Sequence, residues 1–377
     1  MHICFIVEGY PTAEDPFMPF IKNTVAEMAR QGVQCSVIAP QSITRALIHH
    51  IPIRPRYWKD TISAEGTTVN VYQPLYITLS GKARKLNQRL FIHAAKKAYK
   101  GVRQDIDALY AHFWHMGVVA SIMDRTKPLF IASGESKIGV MELFPKNQIE
   151  HMLFQLSGVI YVSSKCYKEA NALHLQRAEI PYIILPNGFD PTIFMRTDRE
   201  SSRKRLNWPL DAKIVAFVGA FNSRKGVIRV SDALIDVNKT QPVYSCFIGS
   251  GAEKPVCPRQ LYVGKVDHSM IAEFLNASDI FVLPSTNEGC CNAIIEAMAC
   301  GLPIVASNGS FNKDILGSDN SIQIDPMDVN AIAEAINTLV DNFEMRKRLG
   351  NRSFEIAKSL TIQQRIVKLR AFLEREL

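Results

Sequence analysis

The chain has 377 residues, 47% of them hydrophobic and 21% charged, with a formal net charge of +8. That length is too great for one ordinary core and suits two, and the composition is that of a soluble globular protein. No apolar run reaches about 18 residues, which argues against a spanning helix. The eight cysteines (4, 35, 166, 246, 257, 290, 291 and 300) form no C-x-x-C pair and lie apart from His at zinc spacing, so free buried thiols are expected and a metal site is not.

In chain order, residues 2–8 read as a first strand and not as a signal peptide, which together with the free thiols points to a cytoplasmic chain. A helix follows over 20–30, closed by Gln31-Gly32, and further strands are predicted over 33–39, 68–72, 108–112, 129–132, 158–162 and 182–185. After Asn187-Gly188-Phe189-Asp190-Pro191 and a polar stretch over 196–205, a second series of strands runs over 214–219, 244–249, 261–263, 280–283, 303–306 and 321–324. Each reads as apolar enough to be buried on both faces. Alternation with helical periodicity predicts an α/β chain of two Rossmann-like domains, 1–190 and 191–359, with a helix at about 360–377 packing back on the first. Two such domains are expected to face each other across a cleft, with ligands outside the carboxyl ends of the strands.

The most informative segment is Asn287 to Pro303, directly after a predicted strand. Gly289 lets the backbone approach a ligand, and the helix starting near Asn292 turns free amides and its positive end toward the loop. Glu288 lies on that loop and Glu296 about one turn inside the helix. Ile294, Ile295, Ala297, Met298 and Ala299 around Glu296 are apolar, so this carboxylate is expected to be buried and to need a partner, which a ribose diol would supply. A second segment, Val218 to Gly226, places Arg224 and Lys225 at a helix start, where two cations suit a diphosphate. It lacks the pattern of a Walker A loop.

Together these segments resemble family 4 of the glycosyltransferases, a retaining group with the GT-B fold. The matching features are the E-x7-E pair Glu288 and Glu296, the string Glu296 to Pro303, Arg224-Lys225-Gly226, and Pro186 to Phe194. By this resemblance Lys225 and Arg224 would hold the donor diphosphate and act in catalysis with Glu288, which would contact the donor sugar. Glu296 would hold the ribose hydroxyls, and the backbone of Gly289, Cys290, Cys291 and Asn292 would surround sugar and phosphate. Gly264, Lys265 and Val266 would lie near the base. The donor is then a UDP- or GDP-sugar, a substrate and not a cofactor, and no metal is implied.

Departures from the family pattern concentrate in the first domain. Ala220 stands where many relatives have Arg. Gly134-Glu135 falls where a His-Gly or His-Glu pair is usual, and the loop 9–19 has Met18-Pro19 in place of a glycine. Glu135, His112 and His115 are the expected cleft residues of this domain, although a His packed in its turn accounts for the last two equally well. Asp105-Ile106-Asp107 has the D-x-D form of metal-dependent transferases but precedes its strand, where no donor would reach it.

Between Arg45 and Arg103 there are twelve Lys or Arg residues against Asp60 and Glu65. Lys82, Lys85, Arg89, His93, Lys96, Lys100 and Arg103 form one stripe, with Leu90, Phe91, Ala94, Ala98 and Val102 broadly opposite. This is either the solvated face of a domain helix or a contact with anionic lipid head groups or a lipid-linked acceptor at the inner face of the membrane. No motif for nucleic acid accompanies the charge. The expected activity is transfer of a sugar to a hydroxyl acceptor in surface polysaccharide or glycolipid synthesis. The alternatives are a nucleotide-sugar enzyme of another reaction, such as an epimerase, and a non-catalytic sugar-nucleotide-binding protein.

Overall fold

The computed structural model describes residues 1–12, 18–62, 66–79 and 83–377; Glu65, Lys82 and part of the loop 9–19 lie outside the described residues. The chain forms two compact units. One comprises Met1–Val162, Cys166–Leu185 and Ile366–Leu377, the other Ser163–Lys165 and Pro186–Arg365.

Among the described residues the first unit holds an eight-stranded sheet. Its spatial order is Tyr182–Ile184, Leu156–Tyr161, Leu129–Ser133, Ala108–His112, His2–Ile6, Gln34–Ile38, Thr68–Tyr72 and Tyr57–Thr61. The chain starts mid-sheet at His2–Ile6, builds to one side and then returns to the other, so the strand order reverses between His2–Ile6 and Ala108–His112. These two strands are buried along their whole length, as helices on both faces of a parallel sheet require.

The second unit holds a parallel sheet in the order Gln260–Gly264, Val243–Ile248, Lys213–Val218, Ile280–Leu283, Ile304–Ser307 and Ser321–Ile324. Its reversal falls between Lys213–Val218 and Ile280–Leu283.

Two expectations need correction. Burial on both faces holds for the inner strands but not for Gln260–Gly264, which has no buried residue, or for Ser321–Ile324, which is half-buried. Both lie at sheet edges, where one flank has no neighbour. The sequence reading also lacks Tyr57–Thr61, an antiparallel edge strand on Thr68–Tyr72, and the small pair Gln41–Ser42 with Leu75–Tyr76. Tyr57–Thr61 is mostly polar or exposed, as an outermost strand can be, and so carries little apolar signal.

The last helix, Ile362–Glu376, buries Ile366, Leu369, Phe372 and Leu373, a helical spacing that makes one apolar stripe. The Phe372 ring lies 6.1 Å from that of Phe130 and packs over Gly158, where a Cβ would come within 2.8 Å of it. Arg370 Nη1 donates to the carbonyl of Gln31 at 2.7 Å. The helix thus completes the unit in which the chain began.

The eight thiols are all free, six of them buried. Burial pushes the Cys35 and Cys246 thiols up to about 12. Among the described residues no group of three or more His, Cys, Asp or Glu side chains could hold a metal ion, and no helix is long and apolar enough to cross a membrane.

Candidate active site

In the second unit the two loops that follow the strands at the reversal carry Arg224, Lys225 and Glu288. Open α/β sheets bind ligands at such a reversal, because the loops diverge there and leave a crevice. After Lys213–Val218 the chain turns through 222–226. Asn222 Oδ1 accepts from the Lys225 amide at 3.0 Å, and its carbonyl accepts from the Gly226 amide at 3.1 Å. Gly226, at φ 77°, ends the turn as the N-cap of helix Val227–Val237. A Cβ there would sit 2.9 Å from the Pro284 carbonyl oxygen, so the position combines left-handed backbone with close approach. The turn is pinned to the other loop, since Thr286 N donates to the Arg224 carbonyl at 2.8 Å and Arg224 Nη1 to the Asn287 carbonyl at 2.8 Å.

Glu288 Oε1 lies 2.6 Å from Lys225 Nζ and 2.7 Å from Arg224 Nη1. The Glu288 and Lys225 side chains are only 10% and 13% exposed, against 39% for Arg224, so the inner pair is largely withdrawn from solvent. Burial works against the Lys225 charge, but Cys291 and Glu288 more than offset it, and the ammonium pKa is raised.

Helix Asn292–Ala299 follows with Cys291 as its N-cap residue. Cys291 is buried and its Sγ lies 3.7 Å from Lys225 Nζ, while Cys290 is half-buried. Asn292 is held by Asn187, whose Nδ2 donates to its Oδ1 at 2.8 Å. Gly289 is buried, and its carbonyl accepts from Ser163 Oγ at 2.7 Å. Glu296 is buried as expected, with a side chain 10% exposed, and in this structure its partner is His268, with Nε2 3.1 Å from Oε1. The hydrogen bond to Glu296 raises the His268 pKa, against some loss from burial. Gly264 ends its strand and accepts from the Gly249 amide at 2.8 Å. Lys265 is exposed and Val266 half-buried beside it.

In the first unit the reversal carries Glu8 and His115, which meet at 2.8 Å between Oε1 and Nε2. His112 is buried among the rings of Phe20, Tyr110 and Phe113, at 5.3, 6.0 and 5.6 Å. Phe113, between the two histidines, has φ 77° and ψ 155°, a region nearly reserved for glycine and costing about 1–3 kcal/mol elsewhere. Glu135 accepts from the amides of Trp114 at 2.7 Å and Gly134 at 3.0 Å and from Ser133 Oγ at 3.1 Å. It holds the start of helix Trp114–Met123, and desolvation of its carboxyl outweighs these bonds and raises its pKa. Asp107 Oδ2 accepts from the His2 amide at 2.7 Å, at the amino end of the sheet.

The residues the sequence reading missed are His268, Asn222, Asn187 and Glu8. Asn187 lies in the quoted string Pro186 to Phe194 and Asn222 in the segment Val218 to Gly226, so a local signal existed for both. His268 meets a carboxylate 28 positions away and Glu8 meets a histidine 107 positions away, and no spacing announces either pair.

Residues 198–355 match the family model described as Glycosyl transferases group 1. The chain is 26% identical over 354 residues to a protein named as a teichuronic acid biosynthesis glycosyltransferase of Bacillus subtilis, covering 89% of this chain and 88% of that one. Among solved structures, sucrose-phosphate synthase from Thermosynechococcus elongatus superposes with a TM-score of 0.78 at 17% identity, covering 99% of this chain and 98% of that chain. The Anabaena protein HepE in complex with UDP superposes with a TM-score of 0.70 at 19% identity, with both chains covered in full. Two Rossmann-like α/β domains of the GT-B type make up the fold, and the chain is a glycosyltransferase in which the match to the group 1 model is confined to residues 198–355.

Proposed function

We propose that the chain is a retaining transferase that moves a sugar from a UDP- or GDP-linked donor to a hydroxyl acceptor. The observation that carries this reading is the meeting of Arg224, Lys225 and Glu288 at the strand-order reversal of the second unit. When the bond from sugar to phosphate breaks, negative charge grows on the departing nucleoside diphosphate. Preorganised cations in a poorly solvated site stabilise that charge without reorganising during the reaction. Lys225 and Arg224 have this role, and the amides of Gly289, Cys290, Cys291 and Asn292 supplement them. Glu288 holds the two cations in place before the donor arrives and contacts the sugar afterwards. Glu296 offers the ribose hydroxyls a buried acceptor, and Gly264 to Val266 line the base. Retention follows from the E-x7-E resemblance.

The name of the Bacillus relative supports glycan synthesis as the setting, and the UDP complex of the Anabaena protein makes UDP the first nucleotide to try. The acceptor is a glycan or a lipid-linked glycan, reached by a chain that rests on an anionic membrane through 45–103. In support of that contact, Lys85, Arg89, His93 and Lys96 line a groove of about 680 Å³ with Phe144 and Pro145. Arg103 leaves the stripe: its Nε lies 2.6 Å from Asp124 Oδ2.

The test is thermal unfolding with UDP, GDP, ADP and buffer alone, repeated on Lys225→Ala. A ligand at 100 times its dissociation constant adds about 2.7 kcal/mol, a readily seen shift of midpoint. A shift with UDP or GDP that the variant loses is expected. Absence of a shift with every nucleotide would remove the donor-site reading.

A further inference from the structure

We infer that His268 holds the place of the donor's ribose in the empty protein and is displaced from Glu296 when the donor binds, so that binding releases a proton. The inference rests on the donor-site reading above, in which Glu296 receives the ribose hydroxyls.

Glu296 lies on helix Asn292–Ala299 between Ile295 and Ala297, both fully buried. A carboxylate so placed needs a polar partner whether or not a ligand is present. Among the described residues its side chain has one hydrogen-bond partner, His268, with Nε2 3.1 Å from Oε1. A vicinal diol donates two hydrogens and engages both oxygens of one carboxylate. The imidazole therefore stands where one ribose hydroxyl would.

Of the two side chains, His268 is the one able to leave. It is 45% exposed against 10% for Glu296, and it begins the single turn of 3-10 helix His268–Met270. The Phe194 ring lies edge-on to it at 5.2 Å. Rotation of its side chain carries the imidazole toward solvent, whereas Glu296 is fixed between buried apolar neighbours.

The proton that leaves is held by the surroundings of the ring. The hydrogen bond to Glu296 raises the His268 pKa, burial opposes the rise, and the charges of Glu296 and Asp190 add to it. Asp190 Oδ1 accepts from the Thr192 amide at 2.9 Å and hydroxyl at 2.7 Å, so its own turn fixes it. Glu273, on the helix Ile271–Ala277 that packs beside His268, is held by Arg205 at 2.8 Å. Lys265 and Asp267 flank His268 along the chain. Once the ribose takes Glu296, the imidazole loses its hydrogen bond and its pKa falls back toward the ordinary value of about 6.5. Between that value and the raised one, the empty protein holds a proton that the complex gives up. Affinity therefore rises with pH in this window and is level on either side of it.

The test is titration calorimetry of the full chain with UDP and GDP near pH 7, in two buffers of different ionisation enthalpy, which counts the protons released on binding. The unaltered protein is compared with Lys225→Ala and with His268→Gln, which keeps an N–H donor for Glu296 but does not titrate. The terminal phosphate of each nucleotide titrates in the same range, so the readout is the difference between the unaltered protein and His268→Gln. The unaltered protein is expected to release a fraction of a proton more. Its affinity should rise about two- to fivefold more between about pH 6 and pH 8, the range open to a partly exposed ion pair. Near pH 6, His268→Gln should bind the tighter of the two. Equal proton release by both proteins would overturn the inference. So would weaker binding by His268→Gln at every pH, which would mean that His268 stays on Glu296 and steadies it for the ribose. Binding that Lys225→Ala abolishes, without the extra proton, would sink the inference and leave the donor reading standing. No binding of either nucleotide would remove both.

Discussion

Each sheet reverses its strand order once, and at each reversal a carboxylate meets a nitrogen base across the two diverging loops. In the second unit Glu288 meets Lys225 and Arg224, with the carboxylate 10% exposed and two cationic side chains as partners. In the first unit Glu8 meets His115, with a carboxylate 39% exposed and a single imidazole partner. The same topology therefore holds a largely desolvated Glu288–Lys225 pair, with the more exposed Arg224 at its side, in one place and a more solvated pair in the other. A leaving diphosphate gains most from charges that are fixed and poorly screened. An acceptor that differs from one transferase to the next is better served by an open and adjustable rim.

The sharpest way to break this comparison is to remove the two carboxylates in turn. Glu288→Ala leaves the Lys225 ammonium, only 13% exposed, without its carboxylate and beside a second cation, and should cost about 3–5 kcal/mol of unfolding free energy. Glu8→Ala disrupts a solvated pair and should cost no more than about 1 kcal/mol. Urea midpoints of the two variants at one pH decide it, and equal costs would erase the distinction. Next in size, Lys225→Ala should lower turnover by about 10²–10³-fold, the usual loss when one preorganised charge-stabilising group is removed. His115→Ala, assayed with the same donor, should fall well short of that.

A third measurement sharpens the role given to Glu296. The unaltered protein should prefer a nucleotide over its 2′-deoxy form by roughly tenfold, and Glu296→Ala should prefer neither, because a hydrogen bond to a charged group is worth about 1.5–3 kcal/mol. Titration calorimetry on the four combinations would show it.

The smallest effect concerns His268. Its pKa is raised in the folded chain by Glu296. The contribution is therefore fully present below the unfolded value of about 6.5 and is lost as pH climbs through the higher folded value. The gap in thermal midpoint between the unaltered protein and His268→Ala should be widest near pH 6 and close above neutrality. Being nearly half exposed, the imidazole should contribute less than about 1 kcal/mol. A gap that widens with rising pH would show that the pair does not work this way.

Much of the fold could be read in advance because inner parallel strands are covered on both faces and so appear as uninterrupted apolar runs, as in Lys213–Val218 and Ile280–Leu283. Tyr57–Thr61 escaped because a strand with one free flank needs only alternate apolar residues, and there a single residue, Asp60, is buried. The candidate site divides in the same way. Lys225 and Glu288 lie in short contiguous segments around glycines, where close backbone approach leaves a local pattern. Glu8 and His115 of the first unit meet from positions 107 apart, each ordinary in its own surroundings. Glu135 shows the converse: its position in the string suggested a ligand contact, and in the structure its carboxyl holds the start of a helix.

The return of the last helix to the first unit bears on how the chain comes to be folded as it is made. Phe130 and Gly158 lie early in the sequence, yet the Phe372 ring that covers them is synthesised only after the whole second unit. Domains tend to fold in the order in which they emerge from the ribosome. Here that order is inverted at the last step: the second unit can close first, while the first waits with an uncovered apolar seat. A nascent chain stalled before residue 366 would expose that seat, a surface of the kind that chaperones bind.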